Sequence, residues 1–157
     1  MNASSLPCIK PNAAGIDVGS RSNFVAVPSD RDVDNVKEFA FFTEDLHKLC
    51  AWLKKCKIET VAMEATGSYW IPLYDVLIAN NFEVYVVNAR HIKNVTGRKT
   101  DIQDCQWIQQ LHSYGLLIAS FIPDFLTSQL RHLMRHRDNL LRQAARQLQL
   151  NLFSFLQ

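Results

Sequence analysis

The chain has 157 residues, 48% of them hydrophobic and 20% charged, with a formal net charge of +2. That length bounds it to about one domain with room for an appended helix, and the composition is that of an ordinary globular protein. No apolar run approaches the roughly 20 residues that span a bilayer, and the first dozen residues lack the apolar centre of an export signal, so no membrane partner is expected. Cys8, Cys50, Cys56 and Cys105 include no C-x-x-C pair. This excludes a disulfide scaffold and a zinc ribbon, and fits reduced thiols in a cytoplasm.

In chain order, residues 1–12 carry two prolines and little pattern and read as a loose leader. Ala13 to Val18 is a short apolar run ending in Asp-Val-Gly-Ser, a strand entering a turn. Asn23 to Pro28 reads as a second strand, Ser29 to Asp34 as a hairpin loop, and Val36 to Phe42 as a third strand. Thr43 fits the N-cap of a helix whose first turn holds Glu44 and Asp45. Leu46, Leu49, Cys50, Leu53 and Cys56 then recur at helical spacing, with lysines between them.

Thr60 to Ala65 reads as a strand covered on both faces, Ser68 to Asn80 as a helix with Pro72 in its first turn, and Glu83 to Val87 as a fifth strand. Asp101 to Leu111 is a third helix, with Pro123 marking a break beyond it. From Asp124 onward there is neither proline nor glycine, and leucines recur every three or four residues. A helix of that length reaches about 50 Å and is expected to project and pair with another helix. The division expected is therefore a leader over 1–12, an α/β domain over 13–120 and a helical stalk over 121–157.

A meander of three strands followed by strand–helix alternation predicts a mixed five-stranded sheet flanked by helices, the RNase H-like arrangement. A right-handed crossover places the fourth strand beside the first and so brings Asp17 toward Glu64. Asp101 and Asp104, three apart, share one helix face. Clustered carboxylates need a cation, and hard divalent ions prefer oxygen ligands. Each acid has a plainer reading, Asp17 as a turn former and Asp101 as a helix cap. Glu64, set among Val61, Ala62, Met63 and Ala65, is the costliest to leave without a partner.

Between Asn88 and Thr100 stand Arg90, Lys93, Arg98 and Lys99 with no acid, a composition suited to phosphates or to a solvated face. Tyr69 and Trp70 fit either base stacking or a core. His132 and His136 have zinc-compatible spacing, but no third ligand stands near them in the sequence.

The runs Met63-Glu64-Ala65-Thr66-Gly67-Ser68-Tyr69-Trp70, Val87-Asn88-Ala89-Arg90-His91 and Gly97-Arg98-Lys99-Thr100-Asp101-Ile102-Gln103-Asp104-Cys105-Gln106-Trp107, with the opening Gly15-Ile16-Asp17-Val18-Gly19-Ser20, resemble the insertion-sequence-110 family of transposases. The resemblance runs from about Ala13 into the terminal helix. It implies a RuvC-like domain with a D-E-D-D tetrad falling on Asp17, Glu64, Asp101 and Asp104, which bind magnesium, with manganese as a substitute. It further implies DNA transposition guided by a structured RNA, oligomers formed through the terminal helix, and a place at the nucleoid of a bacterial or archaeal cytoplasm. The family joins this domain through a helical stalk to a serine-bearing domain. The chain ends at Gln157, inside what would be that stalk, so a form without the serine domain is expected.

Other readings compete. Gly15-Ile16-Asp17-Val18-Gly19-Ser20 also resembles the first phosphate loop of sugar-kinase and actin-like ATPases, but those need a duplicated second half that is missing here. A nucleic-acid-binding and oligomerisation module with an idle tetrad, or a free-standing RuvC-like junction nuclease, uses the same residues differently.

Overall fold

A computed structural model describes residues 7–65, 67–88 and 101–155, with the backbone alone at Asp101, Gln103, Phe125 and residues 152–155. It forms two compact units, one reaching to Ser120 and the other beginning at Phe121. The first unit is built on a sheet of β1 (Ala13–Val18), β2 (Ser22–Ala26), β3 (Val36–Ala40), β4 (Thr60–Glu64) and β5 (Glu83–Val87). Its strand order is β3-β2-β1-β4-β5. β1 pairs antiparallel with β2 and β2 with β3, while β1–β4 and β4–β5 are parallel. This is the mixed RNase H-like sheet that the meander and alternation predict.

Among the described residues, three helices accompany the sheet: α1 (Thr43–Lys55), α2 (Trp70–Ala79) and α3 (Asp101–Ser113). All five residues of β4 are buried, which requires cover on both faces and explains the unbroken apolar run in its sequence. On one face, Ala62 and Val87 pack with Ile108 and Leu111 of α3 and with Leu117. Residues of opposite parity, Ile16, Val61 and Met63, are fully buried, as are Leu49 and Leu53 of α1 and Leu73 and Leu77 of α2. Side chains of this size contribute roughly 1.5–3 kcal/mol each on burial, so these two layers supply most of the drive to fold.

Some local expectations shift. Phe42, extended at ψ 151, is the N-cap of α1 and makes no side-chain cap bond; Thr43 is already helical. The acidic first turn, Glu44 and Asp45, still suits the helix dipole. Residues 7–12, expected as a loose leader, are instead anchored. Ser113 O accepts from Ile9 N at 2.8 Å and Lys10 N at 2.9 Å, and Asn12 O accepts from Glu59 N at 3.0 Å. The physical reason is that α3 ends with carbonyls lacking helical partners, and the incoming chain satisfies them.

The hairpin loop between β2 and β3 is tied to α1 through Asp32. Its Oδ2 accepts from Trp52 Nε1 at 2.7 Å and from Lys37 Nζ at 3.0 Å. These bonds, the indole's first, hold the Asp32 carboxyl well below the usual carboxylate range. The second unit is α4 (Phe125–Phe155), a 31-residue helix on which Leu126, Leu130, Leu133, Met134, Leu141 and Leu148 are exposed. Among the described residues, no helix is long and apolar enough to cross a membrane.

Where β4 starts, His112 of α3 is 1% exposed and shares a 2.8 Å hydrogen bond between its Nε2 and Thr60 Oγ1. Tyr85 lies against the imidazole at a centroid distance of 4.7 Å, and Lys10 Nζ sits 3.8 Å from the Tyr85 ring centre. Burial, then the nearby Lys10 charge, pushes the imidazole down to about 4 from an ordinary 6.5. Because the folded value lies below the unfolded one, this group's contribution is complete above about pH 6.5 and is lost as the pH falls toward 4. His112→Gln is expected to flatten that part of the stability curve. Urea unfolding of both chains between pH 7 and pH 4 checks it, and parallel curves would show that His112 is not buried neutral.

Candidate active site

The parallel register of β1 and β4 runs Gly15 to Ala62 and Ile16 to Met63. One residue further along both strands stand Asp17 and Glu64. Directly opposed residues share a face, so these two carboxylates emerge side by side at the carboxyl ends of the central strands. Glu64 is 8% exposed and Asp17 is partly buried. Their parity is that of Gly15 and Ala62, which puts both on the face covered by α3.

What brings α3 so close is the missing side chain at Gly15. A Cβ there would lie 2.7 Å from Gln109 Cα and would clash with the Gln109 nitrogen and the Cys105 carbonyl oxygen. Helix backbone therefore rests directly on strand backbone, and Gln109 Nε2 donates to Ala13 O at 3.3 Å. Two residues beyond Gly15 is Asp17; one residue before Cys105 is Asp104. Burial first, then the Asp17 charge, with that of Asp104 adding to it, pushes the Cys105 thiol up to about 12. One buried thiol thus feels both carboxylates. It stays protonated at neutral pH.

The sequence-derived residues fare unequally. Asp17 and Glu64 are neighbours on the central strands, and partly buried Asp104 comes from α3. Asp101 begins α3, but its side chain lies outside the described residues, as do Arg90, Lys93, Arg98 and Lys99. Among the described residues, no three His, Cys, Asp or Glu side chains are grouped closely enough to hold a metal ion. Tyr69 is exposed, while half-buried Trp70 meets Tyr74 edge-on at 5.7 Å. His132 and His136 lie exposed on α4.

Gly15 as a packing device and His112 as an anchor emerge only in the tertiary structure. The small residue at the second position before Asp17 was the available signal for the first. Nothing in the sequence signals the second, since its partners Thr60 and Tyr85 are far away along the chain.

A sheet of this order, with acids at the ends of its central strands under a crossing helix, defines an RNase H-like domain. Comparison with family models then matches residues 14–157 to DEDD_Tnp_IS110, described as a transposase. The chain belongs to this family of DEDD transposases. No curated protein matches it. Among solved structures, T. thermophilus RuvC in complex with Holliday junction substrate aligns with a TM-score of 0.47 and 13% identity, covering 69% of this chain and 98% of that one.

Gly15→Ala is expected to force α3 off β1, because the atoms in the way are backbone and cannot rotate aside. The cost should be at least about 1–3 kcal/mol, the usual range for overpacking. A lower urea midpoint checks this, and an unchanged midpoint would show that the helix does not rest on the strand at that position.

Proposed function

We propose that the chain is the DNA-cutting domain of its transposase, with Asp17, Glu64, Asp101 and Asp104 as the ligands of divalent cations. Magnesium is the expected ion, with manganese as a substitute. The observation that carries the reading is the register of β1 and β4, which sets Asp17 and Glu64 side by side beneath α3. Two adjacent carboxylates, one of them nearly buried, repel each other and lose hydration, and a cation offsets both costs. Their oxygens accept without donating, a donor set suited to hard divalent ions and unsuited to soft ones. When bound, such ions activate a nucleophile and stabilise the leaving oxygen of a phosphodiester.

The protein's own contribution is placement. Strand backbone carries Asp17 and Glu64, and α3 carries Asp104 and, at its start, Asp101. Arg90, Lys93, Arg98 and Lys99 hold DNA phosphates on this reading, fixing the strand without selecting its sequence. The exposed leucine stripe of α4 pairs with the same helix of a second copy. A structured guide RNA selects the target in the complete transposition reaction, which takes place in the cytoplasm at the nucleoid.

Calorimetric titration of magnesium and manganese into the wild-type chain and Glu64→Gln tests the site. Saturable binding is expected, weakened by at least the roughly 10–100-fold typical of losing a partner around a metal. Cutting of branched and duplex DNA should need the metal and should be lost in the variant, while DNA still binds. DNA binding without metal uptake or cutting would overturn the reading in favour of a binding and oligomerisation module.

A further inference from the structure

The carboxylates leave unexplained a second group of side chains at the same end of the sheet. Asn23 in β2 is 0% exposed, and neither its Nδ2 nor its Oδ1 has a hydrogen-bond partner. Each such orphan costs the desolvation of its polar group, and native proteins keep few of them. Asn23 is paired with Val18 on one side and Phe39 on the other, which puts its side chain on the sheet face opposite Asp17. Phe39 meets Trp52 there, and two residues further on Phe41 meets the Tyr69 ring edge-on at 6.4 Å. At the rim, Tyr69 is 45% exposed.

One face at one end thus carries a buried carboxamide without partners and, beyond it, the paired rings of Phe41 and Tyr69, the latter open to water. Apolar protein would cover the rings but leave the amide unsatisfied. A planar ring with a polar edge answers both, since its face stacks on an aromatic side chain and its edge pairs with the amide. Asn pairs with adenine in this bidentate way. A base still held in a duplex presents no free face, so the ligand has to be unpaired.

We propose that this end of the sheet takes an unpaired nucleobase of bound DNA, stacked on Tyr69 and read at its edge by Asn23. The inference rests on the DNA-cutting reading for its class of ligand. The base reaches Asn23 by opening the contact between Phe41 and Tyr69 and taking the place of one ring. The carboxylates stand on the other face at the same end, so a strand crossing that sheet edge meets both.

The test uses branched DNA with 2-aminopurine at an unpaired position, mixed with the chain in EDTA. Cutting then plays no part, and failure of the metal site leaves this readout untouched. Wild type is expected to quench the probe's fluorescence. Tyr69→Ala should lose the quenching and bind about 5–150-fold more weakly, as befits one stacked base, while Tyr69→Phe keeps both. Asn23→Val should raise the melting temperature, since it removes two orphaned atoms, yet bind an unpaired adenine no better than an abasic site. Quenching that survives Tyr69→Ala, or a wild-type preference for adenine that survives Asn23→Val, would overturn the proposal.

Discussion

Helix α3 lies against β1 with no side chain between them, and the arrangement of the acids follows from that contact. At Gly15 the strand offers bare backbone, and the helix comes down until Cys105 and Gln109 touch it. A side chain would hold the two elements apart at the ordinary spacing of a packed interface. Without one, Asp104 is carried toward the end of the sheet at which Asp17 and Glu64 emerge. The position of one carboxylate relative to the others is therefore set by an absence two residues away along the strand.

The same helix is held at its other end by polar chemistry. His112 binds Thr60 beneath α3, Tyr85 packs on the imidazole, and the terminal carbonyl of Ser113 collects the amides of Ile9 and Lys10. The apolar middle, Ile108 and Leu111 against Ala62 and Val87, supplies the drive for docking but little registration along the axis. Hydrogen bonds at one end and backbone contact at Gly15 fix that axis. The acids stand at the opposite end of this contact, in a chain that belongs to a transposase family.

Asn23 and Glu64 are both polar groups inside a well-packed body, kept where apolar residues would cost less. Stability alone favours neither of them. Their position at one end of the sheet, on opposite faces, ties both costs to the same region. The thiol of Cys105 shows the converse, since a group that could compete for chemistry is kept protonated by burial and neighbouring acids.

Much of this was legible in the chain. The period-two runs, the helical spacing of Leu46, Leu49 and Leu53, and the order of elements determined a mixed five-stranded sheet, because burial patterns are local and repeat with the backbone's own period. The crossover rule even placed Glu64 near Asp17. Three things were not legible. Lys10 and Ile9 look like leader residues until the carbonyl ends of α3 appear beside them. His112 looks like one more helix position until Thr60, 52 residues earlier, meets it. Asn23 looks like an ordinary strand residue until its neighbours prove apolar and its amide is left without partners. The sequence by itself determined which residues alternate, which recur and which are acidic. Only the tertiary structure decided which of them meet, because contacts between distant segments depend on register and approach distance, and neither is encoded in any one stretch of chain.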